Sequence, residues 1–270
     1  MDFLVLGPLE IFTDQGDRVP APRPLHRATL SVLLLYAGHP CSHAMLIDAL
    51  WGASRPPRDP VGTLLSHISR IRSELGVGER LQTLNGAYQI NPAPRELDLY
   101  RFHHLTDRAR QMLAAGDLDR AAALLAAALK CWRDPPLADL PSTPAIDAEA
   151  VQLTGQRHAT ETGFINVMLA LGHHQQVIPD LLRIVTADPL AEHSWAQLIL
   201  ALYRDGRKGE ALAVYSKARA VIVRMLGAGP GRELQRLLAQ ILADSEDLTM
   251  DLPSGGHTPA PAVPRRGVTP

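Results

Sequence analysis

Four things are scarce in this chain of 270 residues, and each scarcity excludes something. There are only two cysteines, Cys41 and Cys131. Two thiols cannot build a multi-bridge scaffold or a four-thiolate zinc site, so both are read as reduced thiols of a cytoplasmic protein. Aromatic residues make up 4% while Ala and Leu abound, a balance that favours helix over sheet. Long apolar runs are missing. The purest, Ala121 to Leu129, lies between Arg120 and Lys130 and is far shorter than the roughly 20 residues a bilayer-spanning helix needs. The start, Met1-Asp2-Phe3-Leu4, lacks the basic stretch of a secretory signal, so the expected location is the cytoplasm, away from membranes. Charge of one sign is also missing: 27 Lys and Arg against 28 Asp and Glu leave a net of −1, and the totals suggest no strongly basic nucleic-acid binder. What is present is 46% hydrophobic residues, enough for packed cores in one or two domains.

The first ninety residues change period several times. Phe3-Leu4-Val5-Leu6 and Leu9-Glu10-Ile11-Phe12 flank Gly7-Pro8 and read as short strands of a small sheet. Leu25, Ala28, Val32, Leu33 and Tyr36 then recur at helical spacing, closed by Gly38. Ser42 is an N-cap for a second helix that ends at Trp51-Gly52. After the proline-broken loop Arg55-Pro56-Pro57-Arg58, Asp59 and Pro60 form a favourable start for a third helix, which runs to about Leu75 and Gly76. Leu81 to Leu84 and Ala87 to Ile90 are two short strands around Asn85-Gly86, the dipeptide preferred in type I′ hairpins because both positions need positive φ. Sheet, three helices and hairpin, in that order, make a winged helix-turn-helix with the leading sheet seen in two-component response regulators.

The third helix carries the chemistry. Leu64, Ile68, Ile71 and Leu75 form its apolar stripe. Ser66, Arg70 and Ser73 point the opposite way with Thr63 flanking, His67 and Ser69 lie at the sides, and Arg72 lies near the edge of the stripe. A short polar face can approach phosphates closely and place a guanidinium on a base edge in a groove about 12 Å wide. The hairpin offers Asn85 and Tyr88 as backbone contacts. The segment from Arg55 to Arg80 has five Arg against three acidic residues, a weak basic excess. The same spacing also fits a solvated helix, or a winged helix that contacts proteins, and that alternative stays open here.

Beyond Leu97 only helical patterns follow: 99–115, 118–132, 146–171, 175–187, 191–204, 208–226 and 233–243. Three stretches share a glycine followed at fixed offsets by a small or branched residue, a larger one and another small or branched one: Gly116, Ala121, Leu125, Ala128; Gly172, Val177, Leu181, Ile184; and Gly206, Ala211, Tyr215, Ala218. The last two glycines lie 34 residues apart, the tetratricopeptide period. Trp195, Leu198 and Leu202 occupy the positions of that repeat's first helix, and Pro189 its usual proline site. Such layers build concave surfaces for other proteins. From Asp251 on, five prolines and Gly255-Gly256 predict a disordered tail.

Catalysis and metal binding find no support. His39, Cys41 and His43 lie close together without a fourth ligand, and the pairs His103-His104 and His173-His174 face different ways on a helix. Gly227-Ala228-Gly229-Pro230-Gly231 lacks the Lys-Ser/Thr of a phosphate loop. The expectation is a non-enzyme with no cofactor and no metal. The fold class expected is an α+β winged helix-turn-helix domain over 1–95, an all-α tetratricopeptide-like domain over 96–245, and a disordered tail over 246–270.

Several stretches together resemble the Streptomyces antibiotic regulatory protein family of actinobacterial transcription activators. They are Phe3 to Leu9, Ala44 to Gly52 (AMLIDALWG), Leu65 to Gly76 (LSHISRIRSELG), Asn85-Gly86-Ala87-Tyr88, Ala128 to Arg133, and Ala201 to Leu212 (ALYRDGRKGEAL). They run in order across about residues 1–245. The resemblance implies an OmpR/PhoB-type winged helix and a bacterial transcriptional activation domain of the small type. It implies binding to tandem direct repeats at promoters of antibiotic biosynthesis genes, self-association on DNA, and contact with the sigma and other subunits of RNA polymerase. The third helix would be the recognition helix and the hairpin the wing. Thr63, Ser66, His67, Arg70, Arg72, Asn85 and Tyr88 are the expected DNA contacts. Arg27 would touch phosphate at the start of the first helix, and Arg55 and Arg58 would meet polymerase. Ala87 replaces the second glycine frequent in the family. Residues 1–95 carry nine basic and eight acidic residues, so weak affinity for a single site is expected, with occupancy raised by paired sites. A helical-repeat adaptor remains the alternative.

Overall fold

A computed structural model describes residues 1–20, 22–52, 55–77, 79–245 and 248. The expected tail from 246 on, Leu248 apart, lies outside the described residues. Strands β1 (Asp2–Leu4) and β2 (Glu10–Phe12) pair antiparallel, Phe3 opposite Ile11. Helices α1 (Pro24–Leu35), α2 (His43–Trp51) and α3 (Pro60–Leu75) follow. A two-residue strand β3 (Cys41–Ser42) joins β4 (Leu81–Leu84) and β5 (Ala87–Ile90) in a sheet of order β3-β5-β4. β3 is too short to leave an alternating pattern, which is why the sequence did not reveal it. The remaining helices are α4 (Asp98–Ala114), α5 (Leu118–Leu129), α6 (Pro144–Ala170), α7 (His174–Ala187), α8 (Glu192–Arg204), α9 (Lys208–Leu226) and α10 (Arg232–Leu242).

Local chemistry explains most boundaries. The Ser42 hydroxyl accepts from the Met45 N–H at 3.1 Å, and the Asp117 carboxylate from the Arg120 N–H at 3.1 Å, each satisfying a free donor of the first helical turn. Gly172 (φ +80°) and Gly206 (φ +78°) turn the chain between α6 and α7 and between α8 and α9 in the left-handed region.

The chain divides into two compact units, Met1–Phe164 and a second beginning at Ile165. The first runs past residue 95, where the sequence placed a boundary, and the reason is a polar clamp at the start of α4. The Asp98 carboxylate, 1% exposed, accepts from the N–H groups of Val5 (2.9 Å) and Leu6 (3.0 Å). Burial pushes this carboxyl up, against those two hydrogen bonds and nearby Arg133. Arg133 donates to Glu10 (2.7 Å) and to the Pro8 carbonyl (2.9 Å). A side chain at Gly7 (φ +148°) would press on Arg133 Cβ and the Asp134 nitrogen at 3.3 Å. Phe3, Leu6, Ile11, Leu33, Leu64, Tyr88, Phe102 and Trp132 share one buried core.

In the second unit α8 packs against α7, α9 and α10. Trp195, Leu198 and Leu202 are buried, as are Val177, Leu181, Ala211 and Ala218 from the glycine-led pattern. The Trp195 indole N–H donates to the Pro189 carbonyl at 3.0 Å, so the expected proline serves as the tryptophan's polar anchor.

Candidate nucleic-acid interface

Asp59 starts α3: its Oδ1 accepts from the Gly62 N–H at 2.8 Å, Pro60 fills the first turn, and Gly76 ends the helix at φ +62°. Leu64, Ile68, Ile71 and Leu75 are buried, as the periodicity requires. Val61, Leu65, Ser66, Ser69, Arg70, Ser73 and Glu74 are exposed, and Thr63 is half-buried with its hydroxyl bound to the Asp59 carbonyl at 2.8 Å. The Arg70 guanidinium has no ion-pair partner among the described residues, yet it and Arg23 both hold down protonation of His26.

Four expected contacts need correction. His67 is 7% exposed. Its ring stands edge-on to His26 (4.8 Å) and 6.0 Å from Trp51, with Nδ1 3.3 Å from the Thr29 hydroxyl. Residues of α1 and α2 cover that flank of α3, so His67 is a core residue. Burial lowers both histidine pKa values, and Arg70 adds to the effect in each. Tyr88, 2% exposed, stacks on His43 at 5.2 Å and is sealed beneath the hairpin. Arg72 turns to the hairpin: Nε and Nη2 reach the Leu81 carbonyl at 3.1 and 2.6 Å, Nη2 reaches the Thr83 hydroxyl at 2.9 Å, and its guanidinium lies 5.9 Å from the Tyr88 ring centre. It braces α3 against β4. Arg27 faces Asp139, Nε to Oδ2 3.2 Å, as a Coulombic contact lacking good hydrogen-bond alignment. Its charge is thereby matched inside the first unit.

The hairpin differs from expectation too. Only Gly86 has positive φ (+72°), so Asn85-Gly86 does not make the type I′ turn. The Gly86 carbonyl accepts from the His43 N–H at 3.1 Å, and this bond from outside the hairpin holds its tip. Asn85 is exposed there. Arg55 and Arg58 are exposed in the loop between α2 and α3, whose Ala53 and Ser54 lie outside the described residues.

Sequence reasoning missed Arg23. It is exposed, occupies the N-cap of α1, makes no side-chain cap, and precedes Pro24. An exposed cation thus stands at the start of a helix that no side chain caps; Arg23-Pro24 before an apolar helical run was the available signal. Elsewhere, burial pushes the Cys41 thiol up to about 11 and raises Cys131 as well, so neither is primed as a nucleophile. Among the described residues no group of three or more His, Cys, Asp or Glu could hold a metal, and no helix is long and apolar enough to cross a membrane.

Comparison with known proteins agrees with this arrangement. The family profile "Bacterial transcriptional activator domain" matches residues 97–242. The regulatory protein DnrI of Streptomyces peucetius is 31% identical over 252 residues, covering 90% of this chain and 92% of DnrI. The regulatory protein AfsR of Streptomyces griseus is 35% identical over 247 residues, 91% of this chain but 25% of AfsR, so the chain spans about a quarter of that relative. A solved structure of Mycobacterium tuberculosis EmbR in complex with a low-affinity phosphopeptide superposes with a TM-score of 0.84 at 30% identity, over 93% of this chain and 66% of that one. The class so defined is that of bacterial regulators carrying the activator domain. Within it, the chain belongs to the Streptomyces antibiotic regulatory protein family.

Proposed function

We propose that the chain is a sequence-specific DNA-binding transcription activator without catalytic activity: a winged helix-turn-helix over 1–95 followed by a tetratricopeptide-like activation domain over 96–245. One observation carries the reading. Ser66, Ser69 and Ser73 run along the exposed face of α3 at successive helical turns, Arg70 stands beside them, and Arg72 clamps the hairpin alongside. So small a face seats deeply in a major groove, with Arg70 at a guanine edge. Asn85 at the wing tip, Arg23 and the open start of α1 engage phosphate. Arg55 and Arg58, in the loop before the recognition helix, are left to meet RNA polymerase. Because residues 1–95 are barely basic, affinity for one site is low, and protomers on adjacent direct repeats reinforce one another. Family membership points to promoters of antibiotic biosynthesis genes as targets.

Selection of the full chain on random duplex DNA, followed by mobility shifts at graded salt, tests this. A motif should be enriched. Arg70→Ala should weaken binding by about 1–3 kcal/mol, the worth of one bidentate base contact, without changing thermal stability. Full-strength binding by Arg70→Ala would overturn the assignment of α3. The competing reading, an adaptor whose winged helix grips a protein, draws on the exposed Val61 and Leu65; it expects no DNA sequence to be enriched.

A further inference from the structure

Two apolar side chains on α3 stand outside its buried stripe. Val61 is 41% and Leu65 48% exposed. They lie one helical turn apart, on the same flank of the helix as Arg72. The buried stripe is already complete in Leu64, Ile68, Ile71 and Leu75, so neither is needed for the core. Both sit in the first half of the helix, where recognition-helix residues commonly reach base edges. Neither can bond to phosphate or to a polar base edge. The major groove offers a single kind of apolar group, the C5-methyl of thymine.

We propose that Leu65, seconded by Val61, reads thymine methyl groups in the major groove, so that thymine is specified at one or two positions of the site. The inference rests on the DNA-binding reading above and adds a specificity determinant to it. Bringing one methyl into contact with a leucine changes affinity by about fourfold.

The test uses the full chain and the duplex it selects. Each thymine of that duplex is replaced in turn by deoxyuridine, which lacks only the methyl. Wild-type protein should lose about fourfold in affinity at one or two positions. Leu65→Ala should bind the unmodified duplex more weakly by a similar factor and lose nothing further on deoxyuridine at the position it reads. Its melting temperature should match the wild type, because the side chain is exposed. If a motif is enriched but deoxyuridine costs nothing, or costs wild type and Leu65→Ala alike at every position, the methyl-reading role is overturned and DNA binding stands. If no motif is enriched, the DNA-binding reading falls and takes this inference with it.

Discussion

Helices α3 and α8 have similar lengths and opposite fates. In α8 nine residues are buried, from Ser194 through Leu202, including Gln197, whose amide donates to Asn166 at 2.7 Å. In α3 five residues of sixteen are buried, and the other side presents glycine, serines, Arg70 and two bare aliphatic side chains. A helix covered on all sides by neighbours is scaffold, and its sequence answers to packing. A helix covered on one side has a second surface whose composition packing does not dictate. The contrast separates what keeps the protein folded from what it presents.

The largest effect should come from breaking the covered helix. Trp195→Ala removes a buried indole from the first turn of α8 together with its bond to Pro189, and should cost about 3–5 kcal/mol, read as a lowered urea midpoint. A loss under about 1 kcal/mol would mean that α8 is not the packing centre of its unit. Next is the arginine pair of α3. Arg72→Ala removes charge-assisted hydrogen bonds to Leu81 and Thr83 and should destabilise by about 1.5–3 kcal/mol, whereas Arg70→Ala should leave the midpoint unchanged. Equal midpoints for the two variants would contradict the brace.

The smallest effect concerns pH. His26 and His67 have folded pKa values below the ordinary 6.5, so the unfolded chain binds more protons once pH drops past that value. Their contribution is complete above pH 6.5 and is lost as pH falls from there through the lowered folded values. Glu96, held at about 2 by Arg80, stays charged across this range. Urea midpoints at pH 7.5 and 5.5 should therefore fall towards acid, and less steeply in His67→Gln. An identical slope in the variant would rule out His67 as a source.

Much of this was legible in the sequence, for identifiable reasons. Ser42, Asp59 and Asp117 announce helix starts because each side chain caps its own helix within three residues, and the glycines at 76, 172 and 206 announce ends. The buried stripe of α3 is equally local. The fates of His67, Tyr88, Arg72 and Arg27 were not legible, because periodicity gives a side chain's direction and says nothing of what arrives from elsewhere. His26 and Trp51 close over His67, His43 lies on Tyr88, Leu81 captures Arg72, and Asp139 meets Arg27. Each partner except Leu81 comes from a different helix or a distant loop. Even Asn85-Gly86, the most local signal of all, makes a different turn from the one expected, with only Gly86 at positive φ.

The Arg72 brace has a thermodynamic consequence. With the Leu81 carbonyl and the Thr83 hydroxyl on one guanidinium, and the Gly86 carbonyl tied to His43, helix and hairpin behave as two prongs of one rigid fork. Freedom that separate prongs would surrender on docking is surrendered once, during folding, and is not charged against each encounter. For the DNA-binding role proposed above, such stiffness would supply affinity that a surface with so few cations does not.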